Sequence, residues 1–553
     1  MIVRVPNGSA QIQESALSQR LNQRAKRLGK QVLFSSHPNS LGLEDLRKFH
    51  QPVVLVQDYL PDTPIGKVLE QSYDSMLRYK PTLAIGHYPD SGKALILSLE
   101  KGISPVNNFE SLTVWLDKLL QSRVSHRHYD TDTHLKKVSQ MPESIKADLD
   151  ELKNLTETWS NWSLFPKFQL ANNDTGVSAE RYVGARFGFV AKNTEGGTLI
   201  TARGSNKGKP SDKDFALVTQ VNGKEVHTTS LERKASLNAP LAHQIFQHRP
   251  EIKYIVHSHV FLAEGITVPN ISSPDTEEDW ESIETVINSG AQIINQPQHG
   301  TLILLKNPDE LLPILLRNNV YSTRGEAYEE EYLRFLEEDF LARSIAKSNI
   351  RPDAKVLDLC CGTGASTEDL RKLGFSHIDI ADGSKTMLEQ AERKIGKAGK
   401  IISLPNLDPL DNDYDLISMR QAFNYVKLDD LNIFAKNIAA KLNEQGKFVF
   451  TTFAKLEPGL RIRENTDWQD SSGNHWIRTS ESNIISAEQV MHTQRTESLD
   501  FKQELWSPRL DINIFYQYSA KQIEQAFKDS GFKVSHSKEA NRLCFTCVKD
   551  GRK

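Results

Sequence analysis

Asp358, Gly362, Gly364 and Asp382 carry the clearest chemical message in the chain. An apolar run (Val356, Leu357, Leu359) enters a turn at Gly362 and Gly364, where no Cβ keeps a ligand off the backbone. A helix-like stretch follows, then a second apolar run ending near Asp382, whose carboxylate is spaced to accept both hydroxyls of a ribose. Nucleotide-like ligands bind at the carboxyl ends of parallel strands, and strand, glycine turn, helix, strand, acid is that geometry. The loop lacks the full G-x-G-x-x-G spacing of a dinucleotide binder. A second constellation lies upstream. Tyr254-Ile255-Val256-His257-Ser258-His259 reads as a strand ending in two histidines, and residues i and i+2 of a strand share a face. With His299, in a turn between two apolar runs, they would give three imidazoles and leave an open position on a metal ion. The plain alternative is two surface histidines and a turn histidine.

The elements that must position these residues are readable in outline. Around the glycine turn the pattern predicts strands at Ile401–Ser403, Asp413–Met419 and Gly446–Phe453, an amphipathic helix over Leu431–Leu442, and a helix at Ala520–Ser530 before two last strands. A helix-rich lead-in, 327–348, precedes them. Around the histidines, strands are predicted at Ala291–Asn295 and Thr301–Leu305. Further upstream, helix-like segments at Glu14–Leu28, Ile65–Leu77 and Leu112–Leu120 alternate with strands at Gln31–Phe34, Pro52–Gln57, Thr82–Ile85 and Ala94–Leu99. Ser125–Pro142, with His126, His128 and His134, reads as a polar linker, a histidine-rich metal tract being the alternative.

Composition narrows the function classes. A chain of 553 residues has room for several domains. The net charge of −3 gives no long-range pull towards nucleic acid or anionic membrane. The sequence shows no signal-peptide core and no run of the ~20 apolar residues that a membrane span needs. Four cysteines in so long a chain make no disulfide framework, so a cytoplasmic protein is expected.

Two family resemblances sharpen this. Val356-Leu357-Asp358-Leu359-Cys360-Cys361-Gly362-Thr363-Gly364 resembles the first motif of class I S-adenosylmethionine-dependent methyltransferases, with Cys360 where the family usually has Gly. Asp382-Gly383-Ser384-Lys385-Thr386-Met387-Leu388 is similar to the second motif position for position. The resemblance implies S-adenosylmethionine held by Asp358, Cys360, Gly362, Thr363, Gly364, Asp382, Gly383 and Met387, with Asn406 and Asp408 as candidates against adenine.

The middle block resembles the class II aldolase/adducin family. Thr198–Gly208 looks like its Ile-Thr-Pro-Ser-Gly loop, His243–Glu251 like the helix before its His-x-His strand, and His299-Gly300 like its third-histidine motif. The resemblance implies a divalent metal, usually zinc, on His257, His259 and His299, acting as a Lewis acid on a sugar-like or phosphorylated substrate. Two departures bear on this. Asn238, in Lys234-Ala235-Ser236-Leu237-Asn238, stands where the family has a glutamate acid/base, and an amide cannot take a proton at neutral pH. Gly184-Ala185-Arg186-Phe187 replaces a phosphate-holding loop, leaving Arg186 as a fork for phosphate. Either a metal-dependent lyase-like activity is retained, or this block is a non-catalytic oligomerisation or substrate-binding scaffold.

A long excursion, Ala454–Tyr518, carries Trp468, Trp476, Trp506, Phe501, Phe515, Tyr516 and Tyr518, with alternation that suggests antiparallel strands. It reads as a substrate-selecting lid, or as an insertion whose aromatics pack their own core. Methyl transfer mainly needs alignment of nucleophile and methyl, so Tyr425, His475 and His492 are candidate orienting groups or bases. Cys544-x-x-Cys547, a lone pair on an apolar strand, reads as core cysteine.

The sequence thus implies an α/β multidomain chain: a small unassigned α/β domain (1–145), a class II aldolase-like α/β/α domain (146–318) and a Rossmann-like seven-stranded methyltransferase domain (319–553). Its partners are expected to be small molecules, with neither nucleic acid nor membrane involved, and the aldolase-like domain is expected to make a homo-oligomer.

Overall fold

The computed structural model describes residues 2–6, 54–69, 71–72, 83–98, 102–112, 114, 128–134, 143–165, 186–223, 225–230, 233–269, 277–297, 299–323, 328–331, 340–456 and 462–550. The segments predicted at Glu14–Leu28 and Gln31–Phe34, the residues Gly184 and Ala185, and most of Leu112–Leu120 lie outside them. The chain divides into two compact units. One comprises Met1–Ile314, Asn465–Thr479 and Arg495–Leu510; the other Leu315–Glu464, Ser480–Gln494 and Asp511–Lys553. Among the described residues no helix is long and apolar enough to cross a membrane.

The first unit holds two sheets. Strands β1 (Ile2–Pro6), β2 (Val54–Asp58), β3 (Leu83–Tyr88), β4 (Lys93–Ser98) and β5 (Gly102–Val106) lie side by side in that order. The first three run parallel, and β4 runs antiparallel between β3 and β5. Their apolar face meets Leu499, Phe501 and Trp506 of the long excursion. Those aromatics therefore close a core with the N-terminal sheet and not one of their own.

The second sheet of this unit has nine strands. They are β6 (His128–His134), β7 (Phe189–Thr194), β8 (Gly197–Thr201), β9 (Phe215–Asn222), β10 (Glu225–Ser230), β11 (Tyr254–Ser258), β12 (Ile266–Thr267), β13 (Ile293–Gln296) and β14 (Gly300–Leu305). Their spatial order is β12-β13-β14-β11-β7-β8-β9-β10-β6. The linker expected at Ser125–Pro142 is corrected in part: His128–His134 adds to the edge as a strand parallel to β10. Its Thr-rich alternation suits an edge, which needs backbone pairing on one side only. Helices Glu143–Asn161, Ala239–His248 and Glu277–Asn288 accompany this sheet. The second of them buries Leu241, Ala242, Ile245 and Phe246 in the core shared with Phe189, Ile255 and Leu302.

The second unit is built on β15 (Lys355–Leu359), β16 (His377–Asp382), β17 (Lys400–Ile401), β18 (Tyr414–Met419), β19 (Leu442–Phe453), β24 (Phe532–Glu539) and β25 (Arg542–Lys549), in the order β17-β16-β15-β18-β19-β25-β24. All are parallel except β25, which runs antiparallel to both neighbours. Central parallel strands are covered on both faces, hence the near-continuous apolar runs of β15 and β18. One face is sealed by rings: Phe423 stacks on Phe450 at 4.3 Å, Phe450 on Phe448 at 4.6 Å and Phe545 on Phe450 at 5.2 Å. Such pairs add roughly 0.5–1.5 kcal/mol each beyond area burial. The expected third strand is shorter than predicted, two residues at Lys400–Ile401. The excursion forms a further sheet of β20 (Ile462–Gln469), β21 (His475–Ile484), β22 (Gln489–Asp500) and β23 (Leu505–Tyr516) in chain order.

Candidate functional site

In the second unit, β15 delivers Asp358 to full burial. Its carboxylate accepts from the Ser366 and Thr367 hydroxyls at 2.7 and 2.6 Å, on the helix that follows the turn. Burial outweighs these bonds and pushes its pKa up to about 6. The turn itself runs through left-handed backbone at Cys360 (φ 59°), Gly362 (57°) and Gly364 (86°). Only Cys360 takes this conformation with a side chain, at the position of the family's glycine, and it bears the strain of that choice. A Cβ at Gly362 would meet nothing within 4 Å, so open space lies against the backbone there.

At the end of β16, Asp382 spans the turn. One oxygen accepts from Gly362 N at 2.9 Å and the other from Ser384 N at 2.8 Å. A third backbone bond, from Gly383, also reaches this carboxylate, which still has room to accept a hydroxyl. Gly383 is exposed, while Thr363 and Met387 are buried and Met387 N is capped by Ser384 Oγ at 3.3 Å. Asn406 and Asp408 are both exposed, and Asn406 Oδ1 accepts from Asp408 N at 2.8 Å.

Three tyrosines adjoin this turn. The carbonyl of Tyr321 accepts from Ser384 Oγ and from Thr386 Oγ1 at 2.6 Å, which ties residue 321 to the second motif. The hydroxyls form a chain from Tyr328 through Tyr321 to Tyr425. Burial, with the neighbouring phenols and Asp382, raises all three above the ordinary phenol range. Tyr425 remains 36% exposed at its outer side, with Phe515 edge-on at 5.2 Å. His492 lies 5.8 Å from the same Phe515 ring and its Nδ1 is 2.9 Å from Ser482 Oγ. His475 belongs to the first unit, where its ring meets Phe501 at 5.8 Å; it is not among the residues grouped with Asp382. Sequence reasoning missed Tyr321 and Tyr328. Their one signal is a spacing of seven residues, two helical turns, at the edge of the lead-in.

In the first unit, His257 and His259 come from β11 and the residue after it, and His299 from the turn before β14. All three are buried, and one nitrogen from each lies within 4.8 Å of the other two. The rings sit 4.5 to 5.3 Å apart. Gly300 permits this. At φ 142°, a Cβ there would fall 2.2 Å from the Ser258 carbonyl oxygen, so only glycine lets the strand of His299 reach the strand of the other two. His257 Nδ1 sits 3.1 Å from the Thr301 carbonyl, which fixes its proton there and leaves Nε2 buried without a protein partner. Burial first, then the neighbouring imidazoles, hold His257 and His259 well below the usual histidine range. Neutral imidazoles with an orphaned buried nitrogen fit a divalent ion.

Lys207 is buried nearby, donating to the Arg186 carbonyl at 2.7 Å. Burial lowers its pKa to about 7, and its charge acts on both His257 and His259. Arg186 Nη1 donates to the Ser160 carbonyl at 3.0 Å. Asn238 precedes helix Ala239–His248, 8% exposed, with its side-chain Oδ1 buried and unpartnered. Arg495, from β22, donates from Nη2 to the His259 carbonyl at 2.8 Å. Nothing in the sequence pointed to it, since it is 236 residues away.

Comparison with known proteins finds two family models along the chain. The family model described as "Methyltransferase domain" matches residues 325–537, and "Class II Aldolase and Adducin N-terminal domain" matches residues 170–300. The chain therefore carries both domains. An uncharacterised protein of Haemophilus influenzae is 29% identical over 106 residues, 18% of this chain; the chain spans 41% of that protein. Among solved structures, an S-adenosylmethionine-dependent methyltransferase from Clostridium acetobutylicum is 22% identical, with a TM-score of 0.35, covering 42% of this chain and 100% of that one. The amino pentose methyltransferase CalS10 from Micromonospora echinaspora is 19% identical, with a TM-score of 0.36, covering 40% and 96%.

Proposed function

We propose that the second unit transfers the methyl group of S-adenosylmethionine to a small-molecule acceptor, and that the first unit holds a divalent ion, zinc by preference, on His257, His259 and His299. The observation that carries the first part is the open backbone at Gly362 facing the doubly anchored Asp382. Asp382 would take the ribose hydroxyls, while Gly362 and Gly364 let the ligand lie on the backbone. S-adenosylmethionine supplies a methyl already activated on a sulfonium, so the protein's task is alignment. The tyrosine chain ends on the Tyr425 hydroxyl, which orients the acceptor. Every phenol in the chain stays protonated at neutral pH, so Tyr425 positions the acceptor and does not deprotonate it.

A divalent ion in the triad would supply Lewis acidity to an oxygen of a sugar-like substrate. Thr301 holds His257 in the ligating tautomer, and Asn238 cannot serve as the proton acceptor. A lyase reaction thus needs its base elsewhere, and Asn238 favours the second reading, in which the metal domain binds substrate without cleaving carbon–carbon bonds. A homo-oligomer through residues 146–318 goes with both readings.

The test is calorimetric titration of S-adenosylmethionine into the full chain and into Asp382→Ala, beside metal analysis of each. Binding that Asp382→Ala weakens at least about tenfold, with metal content unchanged, supports the first part; charge-assisted bonds of this kind are worth about 1.5–3 kcal/mol. Equal affinity in the two proteins would overturn it. Cleavage of sugar phosphates by metal-loaded protein would overturn the non-lyase reading.

A further inference from the structure

We propose that Arg495 is the anion receptor of the metal centre. Its guanidinium holds an oxyanion of the substrate, carboxylate or phosphate, beside the ion that His257, His259 and His299 would bind. The inference rests on the metal reading above and adds the substrate's charge to it.

Arg495 lies on β22, in the part of the excursion that belongs to the first unit. Its side chain is 12% exposed. Nη2 donates to the His259 carbonyl at 2.8 Å, and Nε donates to Glu497 Oε1 at 2.6 Å. Nη1 is buried and has no acceptor. The strand ends here are fixed, because Phe261 N donates to the Pro508 carbonyl at 2.6 Å and Phe261 bridges Arg509. The arginine is therefore held against the residues that follow the histidine strand by backbone bonds as well as its own.

Two physical arguments point to an anion. A buried donor without an acceptor is rare and costly, and a guanidinium never sheds its proton to escape the cost. A purely structural role, bracing the His259 carbonyl through Nη2 and pairing with Glu497 through Nε, leaves Nη1 unexplained. Moreover the charges of Arg495 and Lys207 both act on the His259 imidazole. Glu497 already pairs with Arg495 at Nε, and Lys207, lowered to about 7, is only partly charged, so the positive charge left over is modest and favours an anion beside the ion. An oxyanion reaching both the ion and Nη1 supplies the missing acceptor, and the planar fork of arginine matches carboxylate and phosphate geometry. Arg186, the sequence's candidate for this task, instead has Nη1 on the Ser160 carbonyl.

The test uses full-length protein loaded with Co(II), whose visible spectrum reports its ligands. Inorganic phosphate and glycolate are titrated separately into wild type, Arg495→Gln and Arg495→Lys. Glutamine keeps a donor for the His259 carbonyl and removes the charge. The expected result is cobalt uptake at wild-type affinity or tighter in Arg495→Gln, with anion affinity at least about tenfold weaker. The anion that binds tighter to wild type identifies the substrate group. Unchanged anion affinity in Arg495→Gln, or no anion effect on the wild-type spectrum, overturns the proposal. Should Arg495→Gln take up no cobalt, Arg495→Lys decides: anion affinity weaker than wild type supports the role, and equal affinity overturns it. A wild-type chain that binds no cobalt removes the metal reading itself, and this inference with it.

Discussion

In the proposed reading, the glycine turn of the second unit and the histidine triad of the first solve the same problem, holding a polar ligand, by opposite means. The turn is made of backbone. Its N–H groups are braced by Asp382, and open space at Gly362 receives the ligand. The triad is made of side chains. Its glycine, Gly300, faces not a ligand but the Ser258 backbone, and exists so that two strands can touch. A glycine at a site can therefore mean room for a ligand or room for the protein itself, and the local surroundings decide which.

Substitutions can break this contrast. The largest effect is expected from His257→Ala with His259→Ala, which should reduce metal content from about one ion per chain to none, since a protein site needs at least three ligands. Elemental analysis checks it, and retained metal would disprove the triad. Next, Gly362→Ala and Gly300→Ala should part company. Gly362→Ala should fold with wild-type circular dichroism yet bind S-adenosylmethionine at least about tenfold more weakly, its methyl occupying ligand space at a cost of about 1 kcal/mol in backbone strain. Gly300→Ala should lower the melting temperature and the metal content together, because its Cβ meets backbone. Equal behaviour of the two variants would erase the distinction.

A smaller effect is expected at Tyr425. Tyr425→Phe removes one orienting hydroxyl and should lower kcat for methyl transfer about tenfold while leaving S-adenosylmethionine affinity unchanged. A loss of cofactor affinity instead would make Tyr425 part of the cofactor site. The smallest effect concerns pH. Burial pushes the Asp358 carboxyl up to about 6 in the folded protein, from an ordinary value of 3.8. Between these values the native state binds more protons than the unfolded one. Its contribution to stability is thus fully present below about 4 and is lost as pH rises through about 6. Asp358→Asn should flatten that slope, seen as a smaller change in melting temperature between pH 4.5 and 6.5 than in wild type.

Much of the fold was legible. The parallel sheet announced itself through apolar runs broken by glycine, and Asp358, a carboxylate inside such a run, marked the site. His257, His259 and His299 were legible because strand alternation and a His-Gly turn are local patterns. What escaped was whatever chain topology brings from far away. Tyr321 is anchored through Ser384 and Thr386, and Arg495 through the His259 carbonyl, over 63 to 236 intervening positions. The edge strand His128–His134 escaped for another reason: a polar edge strand and a polar linker have the same composition.

The free cysteines have a practical consequence. Cys360, Cys361, Cys544 and Cys547 are the only thiols in the chain, and all four belong to the second unit. Burial pushes the thiols of Cys360, Cys361 and Cys547 above the ordinary cysteine range, so they are unreactive while folded. Alkylation is thus a built-in clock for the methyltransferase fold: each modified thiol records an opening of that unit, while the first unit stays silent to the reagent. A ligand seated on the Cys360–Gly364 turn would slow the clock at Cys360 and Cys361 before it slowed it at the two cysteines of β25.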